Sequence, residues 1–390
     1  MRSLSTSRRA WLGAALTVAV VTVSGCGSPQ QAAGDDSSIN VGVVYSQSGP
    51  LASYGAQYAE GFKAGLAYAT NNTGKIGART INVSWTDDAG DPVKAVSAAK
   101  DLIGKGYKVL AGSTSSGVAL QVAPLAAENK VLFVSGPAAS DAITGANKYT
   151  FRSGRQSYQD VLTAKAYLGD GKKVVVFAPD SAFGKSNVDA VTKVVGSSAT
   201  VTSIAVPASA TDFTPFASQI KAAKPDLVFV AWAGATAGAM WQALDQQGVL
   251  TSTKVVTGLD IRAAWAGFGP AADKLNLLAH YFDGAAENPA YQALKAAVPG
   301  GKTDLFHPDG FAAAQMIVHA LTASPDDAGK MVSALEGWSF DSVKGTLTVR
   351  AEDHALLQPM FQAKLTSTGA ALTGTIDPGA AAPPVAAMKG

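Results

Sequence analysis

Runs of β-branched and aliphatic residues recur along the chain, each followed by a stretch with helical spacing. Ile39-Asn40-Val41-Gly42-Val43-Val44-Tyr45 reads as a buried strand that ends in a Ser/Gly/Pro loop. Residues 54–71 then place apolar positions three and four apart, the period of one helix face. Strands are predicted at 81–85, 109–112 and 131–134, with helices over 92–104 and about 117–129 between them. The alternation restarts after Arg152, with strands at 174–178, 201–206, 227–232 and 255–258. Val174-Val175-Val176-Phe177-Ala178 is continuous rather than alternating, as suits a strand buried on both faces. A helix is expected over 307–323, and 345–349 with 361–365 as a closing hairpin. Strands separated by helices imply βαβ units and parallel sheets. About 340 residues follow this grammar, too many for one ordinary core, so two lobes are expected. Open α/β sheets bind ligands beyond the carboxyl ends of their strands, so two facing lobes make a cleft that closes by hinge motion.

The ends of the chain have a different character. Residues 1–25 combine Arg2, Arg8 and Arg9 with an apolar run over 10–23, the layout of a bacterial signal peptide. The run is short for a membrane span, which takes roughly 20 apolar residues. In Val23-Ser24-Gly25-Cys26 the cysteine stands where a lipoprotein is acylated; simple secretion is the alternative. Ser7-Arg8-Arg9-Ala10-Trp11-Leu12 leaves the general and twin-arginine export routes both open. Cys26 is the only cysteine, which excludes an intrachain disulfide, a cysteine metal site and thiol catalysis. A diacylated Cys26 would carry the two chains that stable anchoring needs, on the outer face of the cell membrane. Residues 26–38 are small and polar and read as a flexible linker, and 376–390 as a disordered tail.

Charge narrows the function. Without the three arginines of residues 1–25, 28 basic residues face 29 acidic ones. That balance lacks the basic footprint of a nucleic-acid binder. There is no P-loop, no G-x-S-x-G elbow and no H-E-x-x-H helix, so no enzyme and no cofactor is expected. His280, His307, His319 and His354 form no ligand-spaced pair. Asp87, Asp88 and Asp91 read as a solvated loop rather than a metal site, since hard cations want six or more oxygens.

The loops after the strands carry the candidate chemistry. Gly112-Ser113-Thr114-Ser115-Ser116-Gly117 puts four hydroxyls at a helix start, where free N–H groups and the dipole favour a carboxylate. Ser135-Gly136-Pro137-Ala138-Ala139-Ser140 again sets small residues and a hydroxyl at a strand end, in a ligand loop or an ordinary turn. Asp260 suits either a ligand ammonium group or a helix N-cap. Trp232, Trp265 and Phe183 could line a cleft or belong to the core.

Taken in order, these segments resemble the branched-chain amino acid-type (leucine/isoleucine/valine-binding-like) solute-binding proteins of the type I periplasmic binding protein family. The resemblance runs from about Ile39 to Leu365. It is carried by Gly49-Pro50-Leu51-Ala52-Ser53-Tyr54-Gly55, Asp87-Asp88-Ala89-Gly90-Asp91-Pro92, the hydroxyl loop, Pro137-Ala138-Ala139-Ser140 and Tyr149-Thr150-Phe151-Arg152. Ala178-Pro179-Asp180-Ser181-Ala182-Phe183-Gly184, Asp212-Phe213, Pro225-Asp226-Leu227-Val228-Phe229 and Asn288-Pro289-Ala290-Tyr291 continue it. It implies two Rossmann-like α/β lobes with parallel sheets and a multi-strand hinge. Lobe 1 would take 39–151 and about 284–344, and lobe 2 would take 152–283 and about 345–375. It implies ligand carboxylate at Ser116 with help from Ala138 and Ser140, ammonium shared by Ser140 and Asp260, and Tyr54 and Phe183 lining the cleft from opposite lobes; Ser115 and Trp232 are further candidate ligand contacts. The partners implied are an amino acid or analogue and the permease and ATPase of an ABC importer, with the binding protein a monomer. A small carboxylate or amide without an amino group, aromatic acids included, is the alternative ligand. A sensor signalling to a separate partner is the alternative role. Ser115 stands where the family often has a cysteine, and Phe183 where a tyrosine is usual, which leaves the ligand side chain open.

Overall fold

The computed structural model describes residues 37–168 and 172–389. The signal peptide and Cys26 lie outside the described residues, as does the linker up to Asp36.

The first lobe opens with β1 (Ser38–Tyr45), α1 (Ala52–Ala69), β2 (Lys75–Ile76) and β3 (Arg79–Asp87). It continues with α2 (Pro92–Gly104), β4 (Val109–Gly112), α3 (Ser116–Asn129), β5 (Leu132–Ser135) and β6 (Thr150–Arg152). The strands form one sheet in the order β2-β3-β1-β4-β5-β6, parallel except for β2. Local chemistry sets these elements. Asp91 caps α2 by accepting from Val93 and Lys94 N–H, and Pro92 occupies the first turn, where its missing N–H costs nothing.

The second lobe follows with α4 (Ser157–Leu168), β7 (Lys173–Pro179), α5 (Ala182–Val195), β8 (Thr200–Val206), α6 (Thr214–Ala223) and β9 (Leu227–Val230). Then come α7 (Ala237–Gln246), α8 (Val249–Ser252), β10 (Lys254–Gly258) and β11 (Asn276–Ala279). After α9 (Pro289–Ala297), the chain returns to the first lobe with α10 (His307–Ala323) and α11 (Ala328–Leu335), which pack into the core of its sheet. A small antiparallel sheet follows: β12 (Ser339–Ser342), β13 (Gly345–Val349) and β14 (Leu356–Leu357). The hairpin β15 (Met360–Thr366) and β16 (Gly369–Ile376) completes the second sheet, ordered β16-β15-β11-β10-β9-β7-β8.

Two expectations are corrected. Residues 345–349 and 361–365 do not pair with each other. β13 pairs with β12 and β14 and buries Leu347 and Val349 in the first lobe's core, whereas β15 pairs with β11 and β16. The turn around Asp353, which pairs with Arg350 at 2.7 Å, separates the two segments. The tail, expected to be disordered, is also held. Arg350 donates to the carbonyls of Pro383 and Pro384, Ala386 N–H donates to Asp353, and Lys389 N–H donates to Gly145.

Two features set the geometry of the cleft. Helices α1 and α10 touch backbone to backbone: a Cβ on Gly61 would lie 1.9 Å from the His307 carbonyl, and one on Gly310 2.0 Å from that of Tyr58. The first crossover between lobes is pinned by the buried Arg152. Its guanidinium donates to the carbonyls of Ala138, Ser140, Gly154 and Arg155 and to Thr144 Oγ1. Burial lowers its pKa to about 10, which leaves it charged at neutral pH.

Candidate functional site

The hydroxyl loop is a sharp turn out of β4. Gly112 (φ +103°) lies so close to β1 that a Cβ would be 2.2 Å from the Val44 carbonyl, and Ser113 follows at φ +72°. Ser113 Oγ donates to the Ser115 carbonyl at 2.6 Å. Ser115 is the N-cap of α3, yet its side chain makes no capping bond. The first turn of α3 therefore presents its N–H groups, with Ser115 and Ser116, to a cavity of about 400 Å3. Ser116 Oγ accepts from Ser140 N–H at 3.1 Å, so its proton is free to be donated.

The second lobe supplies Asp260, just past β10. Its Oδ1 accepts from Tyr54 Oη at 2.8 Å and from Ile261 N–H at 2.7 Å. Tyr54 Oη accepts in turn from Gly234 N–H at 3.0 Å. Tyr54 lies on α1, so one phenol ties the first lobe to two loops of the second. Burial raises the Asp260 pKa, and the bonds from Tyr54 and Ile261 oppose that rise. Burial, then the Asp260 charge, hold the Tyr54 phenol well above its usual range.

Aromatic rings wall the space between these groups. Tyr54 packs on Phe306 at 4.6 Å between ring centroids. Phe183, half-buried, borders both the wider cavity and a deeper one behind it. Trp232 borders the deeper cavity, stacked on Phe177 at 5.2 Å with its indole N–H bonded to Thr236. Tyr54 and Phe183 border both cavities, Ser115 and Ser116 the wider one, and Trp232 and Asp260 the deeper one.

Ala138 and Ser140 are not among the residues lining either cavity. Arg152 draws their carbonyls backward, which turns Pro137 and Ala139 to the cleft instead. Ser140 Oγ accepts from Ala142 N–H at 3.4 Å and caps the short 3-10 turn Asp141–Ile143.

Four cleft residues escaped the sequence reading: Arg155, Asp160, His280 and Phe306. Arg155 lies on the first crossover and borders both cavities. It donates to the Pro137 carbonyl at 2.8 Å, pairs with Asp160 at 3.3 Å and lies 5.8 Å from the Phe306 ring centre. Asp160 and His280 line the deeper cavity. No motif marks these positions; only the crossover of the chain between lobes brings them together.

Among the described residues, no group of three or more His, Cys, Asp or Glu could hold a metal ion, and no helix is long and apolar enough to cross a membrane.

Residues 38–370 match the family described as periplasmic binding protein. The chain belongs to that family. This periplasmic binding protein is 30% identical over 337 residues to Leu/Ile/Val-binding protein homolog 3 of Brucella melitensis, covering 83% of this chain and 90% of that one. It is 29% identical to an ABC-type branched-chain amino acid transporter protein of Rhodopseudomonas palustris, with a TM-score of 0.73 over 90% of this chain and 100% of that one. It shares the fold, at 22% identity and a TM-score of 0.78, with an R. palustris solute-binding protein in complex with 4-hydroxybenzoate, over 87% of this chain and 96% of that one. The two-lobed type I fold and the branched-chain-type resemblance therefore stand. So does solute binding of the ABC-transporter type.

Proposed function

We propose that this periplasmic binding protein captures an amino acid or a close analogue between its lobes and delivers it to the permease of an ABC importer. Export and an anchor at an acylated Cys26 belong to the same reading, as does a monomeric protein. The ligand carboxylate sits on the α3 N-terminus with a hydrogen bond from Ser116, and its ammonium group pairs with the remaining oxygen of Asp260. The observation that carries this reading is the opposition of the two groups: an anion-binding helix end on one lobe and a carboxylate on the other border adjoining cavities. Relatives named for leucine, isoleucine and valine support an amino-acid ligand. Closure brings Tyr54 onto Asp260 and Gly234, so a filled cleft is sealed by a bond between lobes.

Calorimetric titration tests the reading. Asp260→Ala should weaken binding of an amino acid far more than of its deaminated analogue. Equal losses for both would remove Asp260 from the ammonium role.

One observation favours a second ligand class. Asp260 Oδ1 is already engaged by Tyr54 and Ile261 N–H, which suits a latch between lobes. With Asp260 as a latch, an aromatic carboxylate without an amino group would fill the wider cavity, as the complex with 4-hydroxybenzoate illustrates for a structural neighbour. Binding of benzoates with no measurable binding of any amino acid would favour that class.

A further inference from the structure

We propose that residues 377–389 form a strap that ties the second lobe to the first beside the hinge and limits how far the cleft opens. The strap acts on the empty protein, and it holds for either ligand class above.

Before its tail, the chain passes between lobes after β6, between β11 and α10, and between β14 and β15. Strand β16 leaves it in the second lobe, where Ile376 pairs with Met360 of β15. By Pro383 it is bonded to the first lobe, so the tail is a further passage between the two. Arg350 Nη1 donates to the Pro383 carbonyl at 2.7 Å, and Nη2 to that of Pro384 at 3.2 Å. Ala386 N–H donates to Asp353 Oδ2 at 2.9 Å, and Lys389 N–H to the Gly145 carbonyl at 2.9 Å. All these anchors belong to the first lobe: Arg350 and Asp353 lie between β13 and β14, and Gly145 lies shortly before β6.

The receiving face is built to hold such a segment. The Asp353 carboxylate is buried and takes Arg350 Nε at 2.8 Å and Nη2 at 2.7 Å. That two-armed pair fixes the guanidinium so that its outer N–H groups meet the tail. Gly145 N–H donates to the Asp353 carbonyl at 2.8 Å, which joins the two anchor segments. A Cβ on Gly145, at φ +70°, would lie 3.1 Å from the Ala387 carbonyl, so the tail rests directly on backbone there. Pro383 and Pro384 suit this face. Each offers a carbonyl acceptor and has no N–H to satisfy, and a fixed φ reduces the entropy lost on docking.

Length turns the attachment into a limit. The chain from Ile376 to Pro383 reaches at most about 25 Å when fully extended. Part of that reach is already taken up in a turn, where Ala381 N–H donates to the Asp377 carbonyl at 3.0 Å and Ala382 N–H to that of Gly379 at 3.2 Å. Ala381 is fully buried. Wide separation of the lobes must therefore unwind this turn and expose Ala381, or break the bonds at Arg350, Asp353 and Gly145. An empty protein held near the closed arrangement binds more tightly, because apparent affinity scales with the fraction of molecules already competent to bind.

Two variants of the full chain test the strap. One ends after Asp377; the other carries about six added Gly and Ser residues between Pro378 and Gly379, which supply slack and leave every anchor in place. Solution scattering from the ligand-free proteins should give both variants a larger radius of gyration than the unaltered chain. Calorimetry with L-leucine and with 4-hydroxybenzoate should show that whichever binds the unaltered chain binds both variants at least about threefold more weakly. Hydrogen exchange should find the Ala386 and Lys389 amides protected in the unaltered and the lengthened chain. A lengthened chain with those amides protected, but with radius and affinity unchanged, overturns the strap and leaves the tail a packing element. Unprotected amides in the unaltered chain overturn it as well. If neither ligand binds, the ligand proposals fail, and the scattering comparison still decides the strap. If the shortened chain does not fold, the lengthened one decides.

Discussion

Ser116 shows how much a single hydroxyl is asked to do. Its oxygen accepts from Ser140 N–H, which joins the two loops at the ends of β4 and β5, and its proton remains for the ligand. Ser116→Ala should therefore weaken carboxylate binding by about 1.5–3 kcal/mol, the range for a hydrogen bond to a charged group. Isothermal titration measures the loss; unchanged affinity would remove Ser116 from the site. The variant also strands Ser140 N–H, so a small drop in melting temperature should accompany the loss.

Helices and strands answer to different constraints. The pair α1 and α10 is held by backbone contact at Gly61 and Gly310, where a Cβ would collide with a carbonyl. Gly310→Ala should cost about 1–3 kcal/mol through overpacking. Gly104→Ala, at the end of α2 with nothing within 4 Å of the added Cβ, should be neutral or stabilising by about 0.5–1 kcal/mol. Urea denaturation of the two variants gives the contrast, and an equal effect would contradict it.

Most elements were legible because their signals are local. The run 174–178 and the spacing of 307–323 depend only on neighbours in the chain, and β7 and α10 form there. The false hairpin shows the limit: 345–349 and 361–365 both look like strands, but their partners are chosen by two different cores. The cleft divided in the same way. Ser116 and Asp260 lie at strand ends, where topology predicts ligand contact. Arg155, Asp160 and His280 sit on the crossover and beside it, where position depends on how the chain passes between lobes. Ala138 and Ser140 stand outside the lining of both cavities, their carbonyls held by the buried Arg152, and nothing in the loop itself announces that.

At the scale of the whole molecule, ionisable groups are buried where the lobes meet. Asp309 on α10 is fully buried, neither of its carboxylate oxygens makes a hydrogen bond, and its pKa rises to about 6 through burial, with Lys344, Arg155 and Arg152 opposing. Because the folded state holds this proton more tightly than the unfolded chain, where the value is 3.8, the group's contribution to stability grows as pH falls from about 7 to 4. Its full extent is about 3 kcal/mol. Lys344, lowered to about 8 by burial, gives the opposite limb: the stability it costs below pH 8 is regained toward 10.5. Asp309→Asn should flatten the acid limb in a series of denaturation curves between pH 4.5 and 7.5. An unaltered slope would show that Asp309 does not titrate there.

The anchored tail has a practical consequence. Residues 383–389 rest on Gly145 and Arg350 and face α5 of the second lobe across an open groove. Val385 on the tail is 60% exposed, and Lys193 on α5 is exposed as well. Beyond Cys26 the chain has no thiol, so cysteines placed at Val385 and Lys193 would be the sole labelling sites in that body. A donor–acceptor dye pair there would turn the relative movement of the lobes into a change in emitted colour. The protein would then serve as an optical gauge for its own solute.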